Sequence, residues 1–213
     1  MNKVLVTFAI LTVIFSSSAE NPAYIVEKVS GAPDWKNLKL SKPFEDRGKI
    51  VEPQTAFQAA HNADTLFFRV ICREPEMAQI KESVNVHDGP VYTDDSVDIF
   101  LATDDRKGYY LIETNPAGYC LDGKRPNLET RFNTLWNGIF EKQVKKHPDS
   151  WEVILTIPLS SLTEKDFAGL GCVEWWFNAG RTRRAAGVYQ LSSWSDSNNF
   201  HDMTKFGVLI FGD

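Results

Sequence analysis

"SVDIFLAT" (96–103), entered through "VYTDD" (91–95), is the stretch on which the fold turns. Val97, Ile99 and Leu101 alternate with Ser96, Asp98 and Phe100. On an extended chain, residues two apart share a face, so the first set belongs to a core and the second points away from it. The period is 2 rather than 3.6, so this is a strand with one buried side and one side of mixed character.

The same period spreads outward in both directions. It recurs in "TAFQAAHN" (55–62), "TLFFRVICR" (65–73), "GYYLIETN" (108–115), "GIFEKQVKKH" (138–147), "WEVILTIP" (151–158), "WWFNAGRTRR" (175–184) and "FGVLIFGD" (206–213). All read as strands. The clusters "HNADT", "TDDRKG", "NPAG", "LDGKRPN" and "KHPDS" separate them and carry the Gly, Pro, Asn and Asp that turns require. Helical signal is confined to "PEMAQIKES" (75–83) and "PLSSLTEKDF" (158–167), each good for about two turns at most. Short strands at close spacing without crossover helices predict an all-β fold, a two-sheet antiparallel sandwich or jelly roll with one or two short helices.

At the N-terminus, Lys3 precedes the apolar run Val4 to Phe15, followed by the small residues of "SSSAE". This is the pattern of a secretory signal peptide, with cleavage expected after Ala19 and a secreted or periplasmic product. The run is shorter than the roughly 20 residues a membrane span needs. The expected organisation is a leader over 1–19 and a single domain over 20–213. The chain carries a net charge of −5 with its basic residues scattered apart from "RTRR", so it lacks the basic footprint of a nucleic-acid binder. Cys72, Cys120 and Cys172 fit no zinc or haem spacing. In an exported chain they allow one disulfide, and the sequence leaves its pairing open.

Charged residues recur on the predicted strands: Asp98, Arg69 and Arg73, Glu113, and Arg181 with Arg183. If these share one sheet face, they form either a cross-strand salt-bridge ladder or a polar ligand face. Sugars select the same residue types, because planar bidentate groups satisfy hydroxyls and aromatic rings cover C–H faces. Of the tryptophans, Trp151 alternates with Val153 and Leu155 and is expected in the core, while Trp175 and Trp176 must point to opposite sides. The loop aromatics are Tyr92, Trp136, Trp194 and Phe200.

The succession "DTLFFRV", "VYTDDSVDIFL", "GYYLIETNPAG", "WEVILTIPLSSL", "WWFNAGRTRR" and "SSWSDSNNFHDMTKFGVLIF" resembles carbohydrate-binding module family 9 and its wider family-9-like group. The resemblance runs from about residue 23 to the C-terminus, and "DDSVDIFL" and "SSWSD…KFGVL" are its specific parts. It implies a β-sandwich that binds a sugar or glycan end between two aromatic rings, structural calcium, and association with glycoside hydrolases in polysaccharide catabolism.

The positions matching the two rings are Tyr92 and Phe200, both tryptophan in the family's usual pattern. Asp98 matches an acidic position where the family favours glutamate, and Glu113 matches one where it uses arginine. Asn198 or Asn199 keeps the asparagine before the second ring. The expected sugar ligands are therefore Tyr92, Asp98, Glu113, Arg181, Asn198, Asn199 and Phe200, with a mono-, oligo- or polysaccharide as partner.

For calcium the candidates are Asp94, Asp95 and Asp202, although no DxDxDG loop is present. Catalysis by Asp94 and Asp95 is disfavoured, since adjacent residues of an extended chain diverge while glycosidase carboxyls face one bond. No GxSxG or HExxH motif occurs either. Two further alternatives are an envelope adhesion module with a degenerate sugar site and a DOMON-type haem protein using Met77 or Met203, for which no spacing argues.

Overall fold

The computed structural model describes residues 21–103, 105–162, 174–197 and 199–212, and among them it has thirteen strands: the eight that the alternating pattern predicts and five more, Ala23–Lys28, Glu45–Asp46, Lys49–Ile50, Cys120–Arg125 and Gln190–Ser193. The expected leader, Asn198 and Cys172 lie outside the described residues. In chain order the strands are β1 (Ala23–Lys28), β2 (Glu45–Asp46), β3 (Lys49–Ile50), β4 (Thr55–His61), β5 (Thr65–Arg73), β6 (Ser96–Ala102) and β7 (Tyr109–Thr114). They continue with β8 (Cys120–Arg125), β9 (Glu141–His147), β10 (Ser150–Pro158), β11 (Glu174–Arg183), β12 (Gln190–Ser193) and β13 (Gly207–Phe211). Among the described residues, "PEMAQIKES" and the start of "PLSSLTEKDF" contribute single 3-10 turns, Met77–Gln79 and Leu159–Ser161, while 163–167 lie outside the described residues.

The front sheet is built on β11. One edge of it pairs with β6, which continues to β7 and β8, and the other edge pairs with β13 and then β12. The back sheet runs β4, β5, β10, β9, all antiparallel. β1 departs from the expected all-antiparallel arrangement: it pairs in parallel with β13 through Ala23–Val26 and with β4 through Glu27 and Lys28. A single N-terminal strand thus stitches the two sheets along one side.

Between the sheets lies the main core. Val97, Ile99 and Leu101 of β6 and Phe177 and Ala179 of β11 meet Phe57 of β4, Phe68 and Val70 of β5, and Trp151, Val153 and Leu155 of β10. Phe68 stacks on Phe177 at 5.1 Å between centroids with an interplanar angle of 4°, fixing the contact between the layers. Trp194, expected in a loop, is buried edge-on against Phe57, and Trp136 packs on Tyr110 at 4.6 Å. Trp175 points in and Trp176 points out beneath the Arg106 guanidinium, as adjacency in a strand demands. Cys72 and Cys120 are buried and unpaired with each other, and burial pushes both thiols up to about 11.

One turn prediction needs correction. "LDGKRPN" does not simply turn, because Cys120–Arg125 is strand β8. Asp-Gly ordinarily marks a turn, but Gly123 sits inside the ladder. A Cβ there would lie 2.5 Å from the Asn133 carbonyl oxygen and 2.5 Å from the Phe132 ring, so a glycine is what lets the 132–133 segment cross β8.

A second apolar cluster lies on the outer face of the front sheet. Phe100, Ala102, Tyr109 and Leu111 are covered by Phe200, Met203 and Phe206, with Leu121, Phe132, Trp176 and Leu191 around them. The outward-pointing half of "SVDIFLAT" is therefore buried too, but beneath loops rather than beneath another sheet.

Candidate functional site

That loop cover is incomplete. Over the β6–β7–β8 side of the outer face it leaves a groove of about 430 Å³, within the range of small-molecule sites. Asp98 and Glu113 form part of its floor, Thr182 and Leu191 one side, and Phe132 another. The rim is supplied by loop residues Tyr92, Tyr189, Asn199, Phe200 and His201. Five residues singled out in the sequence thus converge: Tyr92, Asp98, Glu113, Asn199 and Phe200.

The floor follows from strand register. Asp98 lies directly opposite Glu113 in the β6–β7 ladder, and both point outward. They are 6% and 4% exposed. Ser96 donates its hydroxyl to Glu113 Oε1 at 2.9 Å, and the two carboxyls hydrogen-bond each other. Burial raises Asp98 well above the ordinary carboxylate range, and the Glu113 charge adds to it. Burial also pushes Glu113 up to about 7, against the bonds from Ser96 and Asp98. A hydrogen bond between two carboxyls needs a proton on one of them, and the raised values of both favour that shared proton. Asp98 Oδ1 is buried without a hydrogen-bond partner. A buried polar atom in that state is costly unless something else fills its valence.

The aromatic positions differ in kind. Tyr92 stands on the 3-10 turn Val91–Thr93 and is 55% exposed, free to present a ring face. Phe200 is mostly buried within the outer cluster, its ring seated on Gly180. A Cβ at Gly180 would come within 2.6 Å of that ring. Phe200 offers the groove a limited apolar edge rather than a free clamp, which corrects the symmetric two-ring expectation. Tyr189, 62% exposed, supplies the second open ring. Arg184 lies 4.4 Å over the Tyr189 ring and donates to the Tyr92 carbonyl at 3.3 Å, tying the two rim aromatics together. On the far side His201 accepts or donates at Nδ1 with the Tyr109 hydroxyl at 2.6 Å and rests on Phe100. Asn199 is exposed at the rim.

Arg181 is not in the groove. It pairs in register with Val97, so it faces the interior. There it donates to Glu74 Oε2 at 3.0 Å, the Arg73 carbonyl at 2.8 Å and Thr55 Oγ1 at 3.1 Å. Arg183 adds a bidentate contact to Glu74 at 2.7 and 2.8 Å. Burial would raise Glu74, but the Arg183 bonds and the two guanidinium charges outweigh it and hold the carboxyl low. Arg69 is also elsewhere, bound to Glu152 and Gln58 on the outside of the back sheet. The expected single charged face is thus divided among three places.

Asp94, Asp95 and Asp202 do not gather into a calcium site. Asp94 accepts from Ser83 Oγ at 2.7 Å, the Val84 N–H at 2.7 Å and Asn115 Nδ2 at 3.1 Å. Those bonds outweigh burial and hold it below the ordinary range. Asp95 accepts the Lys81 and Arg184 N–H groups. Asp202 caps a short turn through the Thr204 N–H and hydroxyl. Both oxygens of Asp94 and of Asp95 and one oxygen of Asp202 accept hydrogen bonds from the chain itself, and among the described residues no group of three or more His, Cys, Asp or Glu is arranged to hold a metal ion.

Sequence reasoning missed Tyr189, Phe132, Thr182 and His201 as groove residues. Their signal was indirect. Once Thr182 is placed on the Asp98 face of its sheet, the loop that follows it must overhang that face.

The profile of the family described as carbohydrate family 9 binding domain-like matches residues 33–213. Among solved structures, a Bacteroides uniformis protein assigned to carbohydrate binding superposes with a TM-score of 0.74 at 18% identity, covering 91% of this chain and all of that one. A family 9 carbohydrate-binding module from Caldicellulosiruptor kristjanssonii, solved with glucose, gives 0.64 at 16% identity over 90% of this chain and 96% of its own. The same organism's module with cellotriose gives 0.65 at 16% identity over 89% and 93%. No curated protein sequence matches the chain.

Proposed function

The chain belongs to the family-9-like carbohydrate-binding domains, and from that membership we propose that it is a non-catalytic protein holding a sugar in the outer-face groove. The observation that carries this reading is the convergence of Tyr92, Asp98, Glu113 and Asn199 on one groove walled by aromatic and aliphatic side chains. Tyr92 and Tyr189 offer apolar ring faces for the C–H side of a pyranose, while Asp98, Glu113, Thr182 and Asn199 offer acceptors and donors for hydroxyls. Asp98 Oδ1, orphaned without ligand, gains a donor when a hydroxyl arrives.

Catalysis is not part of the proposal. Glycosidase carboxyls stand about 5 to 9.5 Å apart across a scissile bond, whereas Asp98 and Glu113 hydrogen-bond each other. The leader-type N-terminus supports action outside the cytoplasm, and family membership supports work beside glycoside hydrolases on polysaccharide. Isothermal titration with glucose and cellotriose at millimolar concentration tests the site. Saturable binding is expected, weakened about three- to tenfold by Tyr92→Ala through the lost ring contact. Absence of binding by any mono- or oligosaccharide, or an unchanged affinity in Tyr92→Ala, contradicts it.

A further inference from the structure

The groove presents two buried carboxyls and, among its described lining residues, no lysine or arginine. Two other buried carboxylates are answered by cations, Glu74 by Arg181 and Arg183 and Glu152 by Arg69, while Asp94 and Asp95 have every oxygen met by neutral hydroxyl, amide or backbone donors. Asp98 and Glu113 have only Ser96 and each other, and one Asp98 oxygen has nothing. The cations that act on lining residues are engaged with other groups. Arg184 lies over Tyr189, and Arg125 donates to the Leu128 and Thr130 carbonyls. The lining imidazole, His201, is held below its ordinary pKa by desolvation and then by the Arg125 charge, so it too adds no cation at neutral pH.

Resting on the proposed sugar site, the geometry points to a ligand that brings the missing charge: a hexosamine whose free ammonium sits over Asp98 and Glu113 while its ring lies against Tyr92 and Tyr189. A hydroxyl donates one hydrogen and carries no charge, so it leaves the acidic pair dependent on its shared proton. An ammonium carries three donors and a full positive charge, enough to bond Asp98 Oδ1 and Glu113 together. The exposed tyrosine faces at the rim add cation–π attraction for an approaching amine. When the ammonium binds, the proton shared by the pair leaves to solvent, so charge and hydrogen count both balance.

Titration calorimetry of the whole protein near neutral pH, with glucosamine and galactosamine against glucose and N-acetylglucosamine, tests this inference. N-acetylglucosamine keeps the ring and removes the charge. The expected result is an affinity for at least one hexosamine about ten- to a hundredfold above both neutral sugars. Proton release should appear as a dependence of the heat on buffer ionisation enthalpy. In Glu113→Gln the ratio of hexosamine to glucose affinity should fall toward one, with circular dichroism and melting showing the variant folded. Neutral sugars binding as well as or better than both hexosamines would overturn the inference and leave the sugar site standing. Failure of every sugar to bind would overturn both.

Discussion

Two buried acidic clusters lie on opposite sides of the front sheet, and they are solved in opposite ways. On the inner side Glu74 is fully enclosed and held by Arg181 and Arg183 through three charged hydrogen bonds. On the outer side Asp98 and Glu113 are nearly as enclosed, yet share a proton and leave an oxygen unbonded. In the inner cluster both carboxylate oxygens are bonded by guanidinium groups, with only Arg181 Nε left without a partner, and it belongs to the fold. The outer one is incomplete, and buried polar groups left in that state are concentrated at sites that await a partner.

Removing the inner carboxylate should produce the largest effect. Glu74→Ala strands two buried guanidinium groups and is expected to lower unfolding free energy by about 3–5 kcal/mol in urea titration. A loss below about 1 kcal/mol would mean the inner cluster is as dispensable as the outer one.

The pH dependence of stability should isolate the outer pair. Its folded pKa values are raised above the unfolded ones, so native protein holds more protons than unfolded chain between about pH 4 and 7. Stability is therefore fully present below the unfolded values and falls as pH rises through about 7. Melting at pH 5 and pH 8 should show that decline in the wild type, by a few kcal/mol at most. The decline should flatten in Asp98→Asn or Glu113→Gln, and a wild type as stable at pH 8 as at pH 5 would break the contrast.

Gly180→Ala sharpens the comparison from a third direction. Its methyl group would occupy the seat of Phe200, pushing that ring into the groove. A cost of about 1–3 kcal/mol, as for overpacked sites, should accompany weakened sugar binding. Smallest in effect is Arg184→Ala, which unties Tyr92 from Tyr189 at the surface. Stability should change by less than about 1 kcal/mol, with a modest loss of affinity measured by calorimetry.

Much of this fold was readable from alternation alone. Val97, Ile99 and Leu101 went to the core and Asp98 and Phe100 to the other side, as period 2 requires. What alternation does not carry is the relation between strands. It puts Arg181 and Arg183 on one face of β11 but does not say that this face is the one shared with Val97 rather than Asp98. Arg69 and Arg73 sit in the back sheet altogether. Gly123 misled because Asp-Gly is turn chemistry by local preference, and the crossing segment at Phe132 and Asn133 overrides that preference from a distance. The groove was half legible. Tyr92, Asp98 and Asn199 came from the family likeness, whereas Tyr189 and Thr182 depended on strand pairing across the sheet.

The most direct test of the central claim is chemical-shift mapping of the labelled protein with glucose or glucosamine added to millimolar concentration. Perturbations should cluster at Tyr92, Asp98, Glu113, Thr182, Tyr189 and Asn199 to His201, and be absent around Thr55, Glu74 and Arg181. Shifts centred on the inner cluster or on the cleft between Tyr24 and Trp194, or no shifts at all, would contradict the assignment of the outer-face groove as the binding site.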